Sequence, residues 1–329
     1  MIILHAPIDI ARQMEIISRA QTELGHPSFY LDVTPRRVSN LSFRSLPVIP
    51  FADIIDFHYA RSFVTPIAEA LRFRNRNPAA STADLPILRK MGKRIIFHFH
   101  GCDIRYYEDG MDYPLNSCFH CYRERAGRRK KNFLARLRRY ADKFVVTTPD
   151  LLWFVQDAAY VPTALRIEDW KFAPPKNHGL PLKVVHAPSN PYGIKGTDYV
   201  LEALKPFVSR GQVALTLVQN MSRRQVLEAC RQADFAIDQL LVGWYGVFAQ
   251  EMMALGKPVV CYINRGLRGH QKDLPIINAD PESLPSVIEK VISDEKLRKR
   301  KGYEGRRFVE RVHDSHVVAK QLIRLYLNC

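Results

Sequence analysis

Short apolar runs alternate with stretches whose apolar residues recur at helical spacing along nearly the whole chain. In the first half, Met1–His5, Phe29–Val33, "ADIIDFHYA", "KRIIFHFHG", "DKFVV" and "AAYVPTA" read as buried strands, each a short apolar run bounded by turn residues. Asp9–Leu24 reads as a helix capped by Asp9 and closed by Gly25. "RIEDWKFAPPKNHGLP" then loses all periodicity and is rich in proline, which marks a linker. Beyond it the alternation restarts. Strands are expected at Lys183–His186, Val213–Val218 and Phe235–Asp238, and helices at Thr197–Val208 and Ser222–Cys230. Three further helices, about 282–294, 296–312 and 314–328, close the chain. Alternating β and α elements predict parallel sheets, and two such runs predict two doubly wound α/β domains, 1–165 and 166–313. Ligands of such sheets bind beyond the carboxyl ends of the strands, so the loops after strands are where chemistry is sought.

"GVFAQEMMALGKPVVCYIN" breaks the pattern. Val247, Phe248, Met252 and Leu255 recur at helical spacing, Gly256 sits where a left-handed cap is wanted, and Pro258 forbids further helix. Val259–Ile263 reads as a buried strand. One carboxylate, Glu251, lies inside this apolar unit. A buried carboxylate is costly unless something hydrogen-bonds to it, so Glu251 is expected to have a partner.

The charge balance adds a second feature. The chain has 329 residues with 49 Lys and Arg against 33 acids, a net of +16. Half of the excess lies in Arg123–Lys143, "RERAGRRKKNFLARLRRYADK", with ten basic residues and two acids, a net of +8. Phe133, Leu134, Leu137 and Tyr140 fall at helical spacing there, giving a basic amphipathic helix suited to an anionic membrane, nucleic acid, an acidic substrate or simply solvent. No apolar run approaches the roughly 18 residues of a membrane span, and the opening residues are too polar for a secretory leader. Six scattered cysteines, two in core-like segments, indicate a reduced, cytoplasmic chain. Cys118 and Cys121 form a C-x-x-C with Cys102 upstream, and either zinc or a reduced loop pair fits, since no second such pair is present.

Three loops carry candidate chemistry. Lys195-Gly196 stands at the mouth of a helix, where free N–H groups and the positive dipole end favour a phosphate. Gly246-Val247 opens the Glu251 helix with no side chain to block backbone approach. In "HFHGCDIR", His98, His100 and Asp103 follow a buried strand.

Together these segments resemble the GT-B fold glycosyltransferases, in particular retaining family 4. "KGTDYVLEAL" and "QEMMALGKPVV" stand where that family has its Lys-Gly and its Glu-Ala-Met-Ala-x-Gly-x-Pro-Val-Val segment, while "ELGHPSFYLDV", "HFHGCDIR" and "VVTTPDLL" look like its acceptor domain. The resemblance implies two Rossmann-like domains facing a cleft, an acceptor domain first and a nucleotide-sugar domain second. Residues 314–329 would cross back to the first domain as a terminal helix. It implies that Glu251 bonds the ribose hydroxyls, that Lys195 with Gly196 meets the diphosphate, and that Gly246 and Val247 offer backbone N–H groups. His100 and Glu251 become the candidate catalytic residues. Two positions depart from the family. Its first acidic residue is replaced by Gly243, with Asp238 or Gln239 as substitutes, and its Gly-Arg is missing, with Ser189 or Asn190 left to meet phosphate.

The expected activity is therefore transfer of a sugar from a nucleotide sugar, a UDP-sugar in first place, to a glycan or lipid-linked acceptor, with retention and without a metal. A cytoplasmic protein held on the inner membrane face by Arg123–Lys143, and engaged in cell-surface polysaccharide synthesis, fits that expectation. The rival is a non-catalytic basic protein that binds anionic membrane or nucleic acid on a diverged GT-B scaffold, although a nucleic-acid partner is disfavoured.

Overall fold

Two parallel sheets organise the computed structural model, which describes residues 1–33, 43–65, 82–106, 124–176, 179–188 and 195–329. Contacts divide the described chain into two units: residues up to Ala164 together with Asp314–Cys329, and Leu165–His313.

In the first unit the strands are β1 (Ile3–Ala6), β2 (Ser28–Tyr30), β3 (Ile54–His58), β4 (Arg94–Phe99), β5 (Lys143–Val146) and β6 (Ala159–Tyr160). They lie in the order β2-β1-β3-β4-β5-β6, every pair parallel. Helix α1 (Gln13–Glu23) begins later than its apolar pattern suggests. The N-cap position falls to Arg12 and not to Asp9, although the Asp9 carboxylate, from outside the helix, still accepts the Met14 and Glu15 N–H groups at 3.0 and 3.3 Å. The intervening Ala11 and Arg12 adopt left-handed backbone, φ 55° and 57°, which holds the helix off until Gln13. Among the described residues two further helices follow, α2 (Leu85–Lys90) and the basic α3 (Glu124–Leu137).

The second unit holds β7 (Leu182–His186), β8 (Val213–Leu217), β9 (Phe235–Ile237), β10 (Val259–Cys261) and β11 (Ile277–Asn278), ordered β11-β10-β9-β7-β8 and again parallel. Its helices are α4 (Thr197–Ser209), α5 (Arg223–Gln232), α6 (Val247–Ala254), α7 (Leu284–Ser293) and α8 (Glu295–Val312). Val184, Phe235, Ile237 and Val260 from the sheet form one core with Val200, Leu204 and Ile288 from the helices. Fully burying each such side chain contributes about 1.5–3 kcal/mol, which fixes the sheet under its helices.

The last helix, α9 (Ser315–Leu327), belongs to the first unit. Its apolar stripe of Val318, Leu322 and Tyr326 is fully buried against Ile3, Ile16, Ile17 and Ile54. The expected return of the terminal helix to the first domain is thus what the chain does. β11 went unpredicted because two residues are too short to show a period. The 3-10 segment Phe43–Phe51, interrupted by Pro47 and Pro50, has no helical or strand period either.

Candidate functional site

β7 lies between β8 and β9, so the connections leaving it and β8 run in opposite directions and open a crevice at the carboxyl ends of β7 and β9. His186 ends β7 and sets one wall. Its Nδ1–H donates to the Ile237 carbonyl at 2.8 Å, and its Nε2 accepts the Thr197 hydroxyl at 2.9 Å. Burial lowers its pKa, which suits a neutral ring bridging sheet and helix. Thr197 is the first residue of α4, so His186 holds that helix's N-terminus over the crevice. Gly196 precedes it in left-handed backbone, φ 65°, with the position of a Cβ only 3.2 Å from Leu240 Cβ; both facts demand glycine.

Lys195 is buried, 7% exposed, and its ammonium forms an ion pair with Asp238 Oδ1 at the end of β9. Asp238 Oδ2 accepts the Gly246 N–H at 2.9 Å. A Cβ on Gly246 would lie 3.0 Å from Gln239 Oε1, 3.3 Å from Asp238 Oδ2 and 3.4 Å from Lys195 Nζ. Its φ of −99° is ordinary, so what favours glycine here is the tight space: a Cβ would push against the Gln239, Asp238 and Lys195 side-chain ends. The first amides of α6, beginning at Val247, have no intrahelical acceptor and carry the positive end of the helix dipole.

Glu251 sits one turn into α6. Gln250, Met252 and Met253 beside it are buried, whereas Glu251 keeps part of its surface open. Burial raises its pKa to about 7, against the pull of Lys195 and with the help of Asp238. Among the described residues no hydrogen-bond donor or ion-pair partner holds its carboxylate. It is an acceptor awaiting donors.

Lys195, Gly196, Asp238, Gly246, Val247 and Glu251 all gather at the α4 and α6 N-termini of this unit. Ser189 and Asn190 lie outside the described residues. Gly243, at the family's first acidic position, is a turn residue with φ 79° whose carbonyl accepts the Asn264 N–H at 2.8 Å. Of the two substitutes, Asp238 pairs with Lys195, while Gln239 donates to the Trp244 carbonyl at 2.5 Å and shapes the loop instead. His186 was not anticipated; its signal was a lone polar residue ending an apolar strand.

In the first unit, His100 lines an open cavity of about 420 Å³ with Tyr59, Asp103 and Lys130 among its walls. Tyr59 stacks on its ring at a centroid distance of 4.2 Å. Tyr59 and Ala60 both hold left-handed backbone, φ 60° and 52°, the kind of local cost, about 1–3 kcal/mol each, that persists at functional sites. Asp103 accepts the Gly101 N–H at 2.6 Å and the His100 N–H at 3.1 Å, fixing the turn. Lys130 of α3 donates to the Cys102 carbonyl at 2.6 Å, so one charge of the basic helix supports this loop. His100 Nε2 lies 2.8 Å from His58 Nδ1, the edge of a buried cluster with His5, Asp56 and His98. His5 and Asp56 were not predicted as site residues. Cys118 and Cys121 lie outside the described residues, so the zinc alternative at Cys102 does too.

No family model and no curated protein matches the chain. Solved structures match it along its whole length. A glycosyltransferase from Rickettsia africae ESF-5 superimposes with a TM-score of 0.63 at 12% identity, covering 99% of this chain and 97% of that one. Anabaena HepE in complex with UDP-glucose gives 0.59 at 12% identity, with both chains covered fully. The catalytic domain of starch synthase IV from Arabidopsis thaliana, bound to ADP and acarbose, gives 0.60 at 10% identity over 99% and 98%. The chain has the GT-B fold. At such identities the likeness is one of fold, and the GT-B assignment rests on agreement along both units. Among the described residues no helix is long and apolar enough to cross a membrane.

Proposed function

We propose that the protein is a glycosyltransferase whose second unit binds a nucleoside diphosphate sugar at the crevice between α4 and α6. The observation that carries this reading is Glu251: a largely buried carboxylate with no donor among the described residues, one turn inside a helix whose free amides face the same crevice. Vicinal ribose hydroxyls are donors of the right kind for it, and their binding offsets its desolvation. The diphosphate falls to the α4 and α6 N-termini and to Lys195, whose ammonium keeps donors beyond the one given to Asp238. Those positive groups also stabilise the leaving diphosphate as the glycosidic bond breaks, so the chemistry at this crevice needs no metal. HepE bound UDP-glucose and starch synthase IV bound ADP, which makes a nucleotide sugar the consistent donor class and a UDP-sugar the first to test.

His100 is the first unit's candidate catalytic residue, placed on a cavity that suits an acceptor sugar. The motif resemblance to family 4 supports retention of configuration and hexosyl transfer. It also supports a glycan or lipid-linked acceptor handled on the cytoplasmic membrane face.

A thermal-shift panel of UDP, GDP and ADP tests the reading, since a ligand at a hundredfold excess over Kd stabilises by about 2.7 kcal/mol. One nucleotide should raise Tm, and Lys195→Ala should abolish most of that rise while leaving the nucleoside's weaker binding intact. A flat response to all three removes the donor site.

A further inference from the structure

The group around Asp56 lies in the first unit, apart from the nucleotide crevice of the second, and its construction is specific. β1, β3 and β4 are neighbours in the first sheet, and their register sets His5 opposite Asp56 and His58 opposite His98. Asp56 and His58 are two apart on one strand, so their side chains share a face. Three atoms converge there: His5 Nδ1 and His58 Nε2 are 3.0 Å apart, and Asp56 Oδ2 lies 3.5 and 3.7 Å from them. All three side chains are fully buried.

Hydrogen bonds alone serve this arrangement poorly. One proton between the two imidazoles leaves the carboxylate with a long approach from His5 Nδ1 at 3.5 Å and out of range of His58 Nε2 at 3.7 Å. Asp56 Oδ2 has a good donor in the Tyr326 hydroxyl, 2.5 Å away, and a long approach from His98 Nδ1 at 3.4 Å. Asp56 Oδ1, also buried, has no partner among the described residues. A buried carboxylate so weakly served wants a cation.

The dimensions fit one. Ligand distances of about 2.0–2.2 Å around a tetrahedral zinc put donor atoms roughly 3.3 Å apart, and the three separations bracket that value. The surroundings fit as well. The ring nitrogen of each histidine that points away from the centre is occupied outward: His5 Nε2 meets Gln21 Oε1 at 2.9 Å, and His58 Nδ1 meets His100 Nε2 at 2.8 Å. Metal-bound histidines make such outward N–H bonds, and ligating carboxylates are hydrogen-bonded in turn, as Tyr326 does here.

We propose that His5, Asp56 and His58 bind one divalent cation of the zinc type in the first unit, tying β1, β3 and, through Tyr326, α9 together. The site is structural and independent of the nucleotide reading.

Elemental analysis of untagged protein grown with zinc and dialysed should find about one zinc per chain. A strong chelator should lower Tm, and added ZnCl2 should restore it. Cobalt in place of zinc should give the visible bands of a tetrahedral nitrogen and oxygen site, without the thiolate charge-transfer band that Cys118 and Cys121 would produce. His5→Gln and Asp56→Asn should each lower metal content at least about tenfold. Metal-free protein indifferent to zinc overturns the proposal, as does metal lost with Cys118→Ser. If the cluster variants fail to fold, the cobalt spectrum of the parent decides.

Discussion

The folded Glu251 carboxyl keeps its proton up to about pH 7, whereas its unperturbed value is 4.5. Between those values the folded chain holds a proton that the unfolded chain has released. Its contribution to stability is therefore fully present below pH 4.5 and is lost as pH rises through about 7. Nucleotide binding should run the other way. Ribose hydroxyls need the ionised carboxylate, so uridine, or whichever nucleoside the parent prefers, should bind more tightly as pH rises from 6 to 8, by up to about tenfold per unit below pH 7. The nucleoside is the ligand to titrate because it carries no phosphate that ionises in that range. Glu251→Gln should flatten the profile and weaken binding about ten- to hundredfold, the equivalent of roughly 1.5–3 kcal/mol for a hydrogen bond to a charged group. A Gln variant that binds like the parent, at every pH, would make Glu251 a structural residue. Lys195 has become a harder residue to test than its sequence context implied. Removing it strands the buried Asp238, so Lys195→Ala should also cost about 3–5 kcal/mol of stability, readable in a denaturant melt. Lys195 and Gly246 stand out in the sequence as a polar residue and a glycine at helix mouths, and Glu251 as a lone carboxylate inside an apolar run. The Lys195–Asp238 ion pair was not legible, because it depends on β7 and β9 being neighbours, which no local pattern reveals.

Helix α3 shows how an element's charge can be read too simply. The spacing of Phe133, Leu134, Leu137 and Tyr140 predicts one apolar stripe; Leu134 and Leu137 are buried and Phe133 half-buried, but the helix ends at Leu137 and the half-buried Tyr140 lies in the turn beyond it. Part of its positive charge is already used. Lys130 holds the carbonyls of Cys102 and Arg105, and beyond the helix end Arg138 pairs with Asp157 at 2.7 Å. Arg128, Arg129 and Arg139 remain exposed to meet an anionic surface. If the basic face docks on a membrane, changing these three to Gln should weaken binding to anionic vesicles by about 3 kcal/mol, roughly a hundredfold, at about 1 kcal/mol per residue. High salt should weaken the parent's binding in the same sense. Nucleotide-induced stabilisation should be unchanged in the variant. Equal vesicle binding by variant and parent would end the docking idea, and tight salt-sensitive binding to RNA would turn it toward nucleic acid. Lys130 is left out of the set because its loss would disturb the loop carrying His100.

At the scale of the whole molecule, chain order and unit membership part company at the end of the chain. α8 lies in the second unit and α9, starting three residues after α8 ends, in the first. Alternating strands and helices were enough to anticipate two parallel sheets. The order of strands was not readable, and with it went the meeting of His5, Asp56 and His58, which are far apart in sequence and adjacent only because β1 and β3 pair. The stripe on α9 was readable as apolar, but only the family resemblance said which unit it would cover. The structure gives that assignment a physical basis: Leu322 and Tyr326 are fully buried, Tyr326 donates to Asp56, and Arg94 of β4 donates to the Tyr326 carbonyl at 3.1 Å. Leu322→Ala leaves a cavity among Ile3, Ile17 and Ile54 and should cost about 2–5 kcal/mol. Hydrogen exchange locates the loss. Amides of β1, β3 and β4 should exchange faster, while those of α7 and α8, nearer in sequence to the mutated helix, should keep their protection. Faster exchange in α7 and α8 with an unchanged first sheet would mean that α9 stabilises the second unit instead. That outcome would also deprive the Asp56 cluster of its link to the terminal helix, because Tyr326 could not then hold the carboxylate.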